Sequence, residues 1–180
     1  MIRTRVGYTG GTIADPTYTR LYDHSEAIQI DYDPALISYE KLVEIFWESH
    51  DPASQPWSKQ YRAALFYHDE EQKGIALETR DRLAAKLKGK VRTEILPASE
   101  FYRAEDYHQK YRLRNHRALM AVFNNLYGDS AAFTDSTAAA RLNGYLGSHG
   151  TLTDLEAELK NLDLPDGAYE KLMTVVSGKR

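Results

Sequence analysis

The chain has 180 residues, of which 42% are hydrophobic, and its 23 basic and 26 acidic residues give a formal net charge of -3. The basic residues form no block or stripe, which disfavours a nucleic-acid partner, and no apolar run approaches the roughly 20 residues of a membrane span. We therefore expect a cytoplasmic protein with no nucleic-acid or membrane partner. The chain contains no cysteine, which excludes disulfides, thiolate metal sites and a cysteine nucleophile within it.

The first part of the chain alternates predicted strands and helices. Period-two alternation marks the strands, and three- and four-residue spacing of apolar side chains, with Ser38 as a cap, marks the first helix. The predicted strands are 2–6, 27–32, 62–67 and 91–96, and the predicted helices run from 38 to about 50 and from 69 to 88. This order predicts the α+β class, as a two-layer α/β sandwich with one central mixed sheet.

The character of the sequence changes after Asn115, where Ala- and Leu-rich segments interrupted by glycines predict helices and no strand. We expect residues 1–114 to form one domain and residues 115–180 to form a helical C-terminal extension. An apolar stripe in this extension either packs against the sheet or contacts a protein partner, and we favour packing. The stripe consists of Leu119, Val122, Phe123 and Leu126.

Polar side chains lie where predicted loops meet predicted strands. Tyr18 and Glu26 stand on either side of a short loop that leads into the second strand, and Tyr61 precedes the third strand. A phenol and a carboxyl group held together can bind and protonate an oxygen atom, and a buried carboxyl group does this best. Taken singly, each residue also fits an ordinary explanation as a solvated strand end or a packed tyrosine.

Two other kinds of site are disfavoured by the spacing of the residues that would form them. The histidines match no recognised zinc pattern, so we expect no metal site. The glycine run from Gly7 to Gly11 lacks the closing Gly-Lys-Ser/Thr of a phosphate loop, so we expect no nucleotide site.

Short motifs follow one another in order from Thr4 to Gln109. They include Thr4-Arg-Val-Gly-Tyr-Thr-Gly-Gly-Thr12, Pro16-Thr-Tyr18, His24-Ser-Glu-Ala27, Gln60-Tyr-Arg62 and Ala104-Glu-Asp-Tyr-His-Gln109. Together, over roughly residues 2–112, they resemble the A-type peptide-methionine sulfoxide reductases.

The resemblance implies the ferredoxin-like fold of that family and a reaction on oxidised methionine in proteins or peptides. In that reaction a cysteine thiolate attacks the sulfoxide sulfur, a glutamate protonates the oxygen and tyrosine hydroxyls hold it. On this sequence the acid would be Glu26, and the hydroxyls would be those of Tyr18 and Tyr61. We also assign Trp57 and His24 to substrate binding, because the segment around Trp57 replaces a longer, aspartate-containing segment of the family.

The resemblance implies no bound cofactor, but it implies an external thiol reductant. The reaction leaves a sulfenic acid on the enzyme, which a second thiol must reduce. Thioredoxin or glutathione would be this partner in the complete enzyme.

The chain departs from the family in lacking the Gly-Cys-Phe-Trp-Gly motif that carries the nucleophile, and in lacking the resolving cysteines of the tail. It is either an N-terminally truncated product or a natural cysteine-free relative that has kept the sulfoxide-binding groups. We favour truncation, because loss of a leading strand and helix would leave a sheet edge unprotected. We expect the chain as given to be inactive as a reductase. The alternative function is a non-catalytic methionine-sulfoxide-binding or oligomerisation module.

Overall fold

The computed structural model describes residues 2–87, 89–162 and 164–178, with strands in the first two thirds and helices throughout. The strands are β1 (Arg3–Thr9), β2 (Ser25–Asp31), β3 (Ala64–Tyr67), β4 (Glu94–Pro97) and β5 (Tyr102–Arg103). The helices are α1 (Tyr39–Glu48), α2 (Glu70–Leu87), α3 (Tyr111–Arg114), α4 (Arg117–Leu126), α5 (Ser130–Asp135), α6 (Thr137–Leu146), α7 (Leu152–Lys160) and α8 (Ala168–Ser177). None of the helices in these ranges is long and apolar enough to cross a lipid bilayer.

The α+β class predicted from the sequence is confirmed, and the strands are divided between two small sheets where one central sheet was predicted. In the first sheet β1 lies between β2 and β5, and it pairs with β5 in antiparallel fashion. In the second sheet β3 and β4 are parallel, with Ala64 opposite Glu94. Parallel neighbours need a crossover connection, and helix α2 supplies the connection between β3 and β4.

The described residues form two compact units, which we treat separately. The mixed unit comprises Gly7–Ala27 and Tyr32–Ala104, and the helical unit comprises the described residues of Met1–Val6, Ile28–Asp31 and Glu105–Arg180. The predicted domain boundary between residues 114 and 115 stays a prediction.

The mixed unit packs α1 and α2 against the two parallel strands. Ser38 caps α1 as predicted, because its hydroxyl accepts a hydrogen bond from the Lys41 amide at 3.2 Å. One face of α1 buries Val43 and Trp47, which form a core with Leu65 of β3. The Trp47 indole nitrogen donates to Thr79 Oγ1 of α2 at 3.0 Å, so the two helices are also joined by a buried hydrogen bond.

The helical unit has a core of its own. Leu119 and Phe123 are fully buried, and the Phe123 ring meets Phe133 edge to face, with centroids 5.5 Å apart. The apolar stripe of α4 was predicted to pack against the sheet, whereas its residues Leu119, Val122 and Phe123 pack in this core of helices. The buried members of this core are Leu113, Leu119, Phe123, Phe133, Ala138, Ala139, Leu142, Leu155, Leu159, Leu172 and Val176.

Replacement of Tyr39 by phenylalanine is expected to raise the free energy of unfolding by about 1 kcal/mol. The Tyr39 hydroxyl is buried beside the α1 core and has no hydrogen-bond partner among the described residues. Burial, with smaller contributions from Tyr32 and Asp69, raises the pKa of Tyr39 to about 12. Urea unfolding at neutral pH measures the change, with Tyr67→Phe in the same cluster as a control. A loss of stability in Tyr39→Phe would contradict the expectation.

Candidate functional site

The turn that follows β1 brings the backbone of Gly10 close to two side chains. Gly10 has a φ of +76°, which glycine adopts without steric cost. A Cβ atom at this position would lie 2.5 Å from Nη2 of Arg62 and 2.7 Å from the Phe66 ring. The Gly10 carbonyl accepts a hydrogen bond from Arg62 Nη2 at 3.0 Å, and its amide donates to Ser99 Oγ at 3.1 Å. The end of β1 is therefore held from two sides.

His24 supports the same turn through both nitrogens of its ring. Its ring is buried, and Nδ1 lies 3.3 Å from the Gly11 amide. Because an amide N–H can only donate, Nδ1 is the acceptor, and Nε2 donates to the Ile13 carbonyl at 2.7 Å. Both ring nitrogens face backbone groups of the loop, so the structure places His24 as a support. Its predicted contact with a substrate stays a prediction.

Asp23 holds the next residue of the loop, since its carboxylate accepts hydrogen bonds from the Thr12 amide at 3.0 Å and from the Thr12 hydroxyl at 3.0 Å. The backbone hydrogen bond from Thr12 is the main cause that lowers the pKa of Asp23 below its ordinary value of 3.8. A carboxylate with a lowered pKa stabilises the fold above its unfolded-state pKa, and this contribution is lost as the pH falls through the folded-state pKa.

The Tm of the protein is therefore expected to fall more steeply below about pH 4 than the Tm of an Asp23→Asn variant. Thermal unfolding followed by circular dichroism between about pH 6 and about pH 3 measures this difference. Thr12→Ala, which removes the hydroxyl donor, should show an intermediate slope. If Tm fell equally steeply with pH in the protein and in Asp23→Asn, the expectation would be wrong, because the Thr12 contacts would not depend on the charge of Asp23.

The start of β2 is joined to the turn that precedes β3. The Ser25 hydroxyl donates to the Lys59 carbonyl at 2.8 Å and accepts from Arg62 Nε at 2.6 Å. One residue further along each segment, Gln60 Nε2 donates to Glu26 Oε1 at 2.8 Å. These hydrogen bonds bring the segment that contains Tyr61 next to the segment that contains Glu26. Two of the predicted site residues therefore lie in adjoining segments.

Glu26 is exposed, whereas burial was expected of a proton donor. Successive side chains of a strand point to opposite faces, and in β2 it is Ser25 that faces the interior. The interior position at this strand end is thus occupied by the hydroxyl, and the carboxyl group of its neighbour faces solvent.

The remaining predicted site residues are also on the surface of the mixed unit. Tyr18 lies in the turn closed by the Thr17–Arg20 bridge and is 42% exposed, and Tyr61 ends a 3₁₀ turn and is 54% exposed. Trp57, in the loop before that turn, is 97% exposed. Its side chain is available to a ligand, but its assignment to a substrate pocket stays a prediction.

Sequence reasoning assigned no role to Ser25, Gln60 or Arg62, although all three stood inside the quoted motifs. Arg62 reaches a third segment through Glu94 Oε2 at 3.3 Å, and the other oxygen of Glu94 accepts from Gln55 Nε2 at 3.1 Å. The signal was a polar residue on each side of a candidate residue, with Gln60 and Arg62 flanking Tyr61. Only the fold shows which partners they have.

Within the described ranges, no cluster of three histidine or acidic side chains could hold a metal ion.

Comparison with known proteins gives the same family from sequence and from structure. Residues 1–138 match the family described as peptide methionine sulfoxide reductase. The chain is 40% identical over 169 residues to a peptide methionine sulfoxide reductase of Drosophila melanogaster, an alignment that covers 91% of this chain and 66% of the relative. It is 46% identical over 122 residues to the reductase MsrA of Methanococcoides burtonii, covering 62% of this chain and 80% of that protein.

Solved structures agree at the level of the fold. Mxr1 from Saccharomyces cerevisiae in its reduced form matches with a TM-score of 0.58 at 29% identity, over 63% of this chain and 71% of that one. Methionine sulfoxide reductase A of Corynebacterium diphtheriae matches with a TM-score of 0.52 at 33% identity, over 64% of each chain. The chain spans 66% of the length of the Drosophila relative. The chain belongs to the peptide methionine sulfoxide reductase family.

Proposed function

We propose that this chain recognises methionine sulfoxide in proteins and peptides through Tyr18, Glu26 and Tyr61, and that it does not reduce the sulfoxide by itself. The observation that supports the proposal is the hydrogen-bonded junction between Ser25–Glu26 and Lys59–Arg62, which joins the segment that contains Glu26 to the segment that contains Tyr61. A sulfoxide oxygen is a strong acceptor with no proton of its own. Phenolic hydroxyls such as those of Tyr18 and Tyr61 are donors that suit it.

The exposure of the three side chains fits a ligand that arrives as part of another polypeptide. A methionine side chain that projects from the surface of another protein can reach an exposed site directly. Tyr18 and Tyr61 each present a rigid aromatic ring together with a hydroxyl group. Such side chains give contact area at low entropic cost, so they suit the recognition of a mobile peptide.

Reduction would need a thiol whose sulfur takes up the oxygen: the S–O bond of the sulfoxide breaks, the thiol is oxidised to a sulfenic acid, and the methionine sulfur is released as the sulfide. The sequence contains no cysteine, so the chain can hold no thiolate of its own against the sulfoxide sulfur. We therefore expect no turnover of a methionine sulfoxide peptide when the chain is incubated with excess dithiothreitol. Turnover at the rate of a cysteine-containing reductase would overturn this part of the proposal.

Calorimetric titration with a peptide that carries one methionine-(S)-sulfoxide tests recognition. We expect saturable binding that is about tenfold or more tighter than binding of the same peptide with unoxidised methionine, since two or more hydrogen bonds to the oxygen are at stake. Tyr61→Phe and Glu26→Ala should each weaken sulfoxide binding by about three- to tenfold.

Tyr107 provides a matched control for Tyr61, because it is a tyrosine of the helical unit with 55% exposure. Tyr107→Phe should leave the affinity for the sulfoxide peptide unchanged. The proposal would be wrong if neither peptide gave saturable heat, or if Tyr61→Phe and Tyr107→Phe behaved alike.

A further inference from the structure

Arg62 is a nearly buried cation whose three nitrogens have three different partners. Its side chain is 10% exposed. Nε donates to Ser25 Oγ at 2.6 Å, Nη2 to the Gly10 carbonyl at 3.0 Å and Nη1 to Glu94 Oε2 at 3.3 Å. A charged side chain withdrawn from water is tolerated when its donors are satisfied in this way. Arg62 thus ties the end of β1, the start of β2 and β4 to one point.

The position of Arg62 in the chain links these contacts to the proposed site. Arg62 directly follows Tyr61, and its partner Ser25 directly precedes Glu26. The 2.6 Å hydrogen bond therefore joins the neighbours of two proposed binding residues. Gln60, on the other side of Tyr61, contacts the Glu26 carboxylate itself. This short set of hydrogen bonds therefore joins the segment that contains Tyr61 to the segment that contains Glu26.

We propose that Arg62 is a positioning residue, which sets the distance between the Tyr61 hydroxyl and the Glu26 carboxyl group and so sets the preference for sulfoxide over sulfide; this inference rests on the proposed function. The Tyr61 hydroxyl selects for an oxygen atom only if it is held within hydrogen-bond reach of that atom, and a looseness of about 1 Å is enough to lose that advantage. Arg62 itself touches no ligand.

The planar fork of the guanidinium group is required for this role. A lysine ammonium carries the same charge, but it cannot direct separate N–H groups at Ser25, Gly10 and Glu94 in fixed directions. Arg62→Lys should therefore keep the positive charge and lose the three directed hydrogen bonds to Ser25, Gly10 and Glu94. Ser25→Ala provides a second variant, since it removes only the hydroxyl that joins Arg62 to the start of β2.

The test measures the affinities of the full chain for a methionine-(S)-sulfoxide peptide and for the same peptide with methionine. Arg62→Lys should lower the ratio of the two affinities by about tenfold, and Ser25→Ala by about threefold. Arg82→Lys is the matched control, since Arg82 donates to Glu40 at 2.6 Å between α2 and α1, and it should leave the ratio unchanged. A merely structural role would lower Tm without changing the ratio.

An unchanged ratio in a folded Arg62→Lys variant would overturn the inference while the proposed function stands. If the unaltered chain bound neither peptide, the proposed function would fail together with the sulfoxide preference, and amide hydrogen exchange would then test whether Arg62 positions the Tyr61 segment. Faster exchange at the amides of residues 61 and 62 in both Arg62→Lys and Ser25→Ala, but not in Arg82→Lys, would support the positioning role. Equal exchange in all variants would overturn it.

Discussion

Replacing Phe123 by alanine is expected to lower the free energy of unfolding of the helical unit by about 3–5 kcal/mol. Phe123 is fully buried at the centre of that unit, where its ring contacts Phe133 edge to face and Tyr127 in a stacked arrangement. Truncation to alanine removes these contacts and leaves a cavity that the surrounding helices can fill only in part.

Amide hydrogen exchange of α4 and α6, read together with urea unfolding, measures the effect of this substitution. Phe123→Leu is the control, since it keeps most of the apolar volume and should cost about 1.5 kcal/mol or less. If Phe123→Ala were no more destabilising than Phe123→Leu, the helical unit would not have the core described here.

The second large effect is expected at Gly10. A Gly10→Ala variant would combine a left-handed backbone that costs a non-glycine residue about 1 kcal/mol with a Cβ atom too close to Arg62 and Phe66. We expect the free energy of unfolding of the mixed unit to fall by about 2–4 kcal/mol, because the two side chains must move. The affinity for a methionine sulfoxide peptide should fall with it, since Arg62 would lose the Gly10 carbonyl.

Gly74 supplies the control for Gly10→Ala. It lies inside α2 with open space where a Cβ atom would be, so Gly74→Ala should stabilise the unit by about 0.5–1 kcal/mol. Denaturation of both variants by urea, followed by circular dichroism, gives the comparison. Similar stability of Gly10→Ala and the unaltered chain would contradict the close approach at the β1 turn.

Local structure was predictable from the sequence where a local rule governs it. The Ser38 cap and the apolar spacing of α1 are set within a dozen residues, so the helix was found with nearly the observed bounds. The division into two sheets was not predictable, because it depends on which strands pair over long separations along the chain. The alternation of apolar and polar residues within a strand does not indicate which distant strand it pairs with.

The candidate site was predictable in its residue types and less so in its environment. Motif order marked Tyr18, Glu26 and Tyr61, and the fold brings the last two into adjoining segments. The exposure of Glu26 was not predicted. Successive side chains of a strand face opposite sides, so only one of the two polar neighbours Ser25 and Glu26 can face the interior, and it is Ser25. The role of Arg62 was missed because its partners come from three separate segments.

The central claim is that the junction around Glu26 and Tyr61 recognises the oxygen of methionine sulfoxide. Titration of the ¹⁵N-labelled chain with an N-acetylated, C-amidated methionine-(S)-sulfoxide, followed by amide chemical shifts, tests it most directly. We expect saturable shifts at Tyr18, Glu26 and Tyr61, with no shifts in α4 to α8 and none with the corresponding methionine derivative. Shifts confined to the helical unit, or equal responses to the oxidised and unoxidised compounds, would contradict the claim.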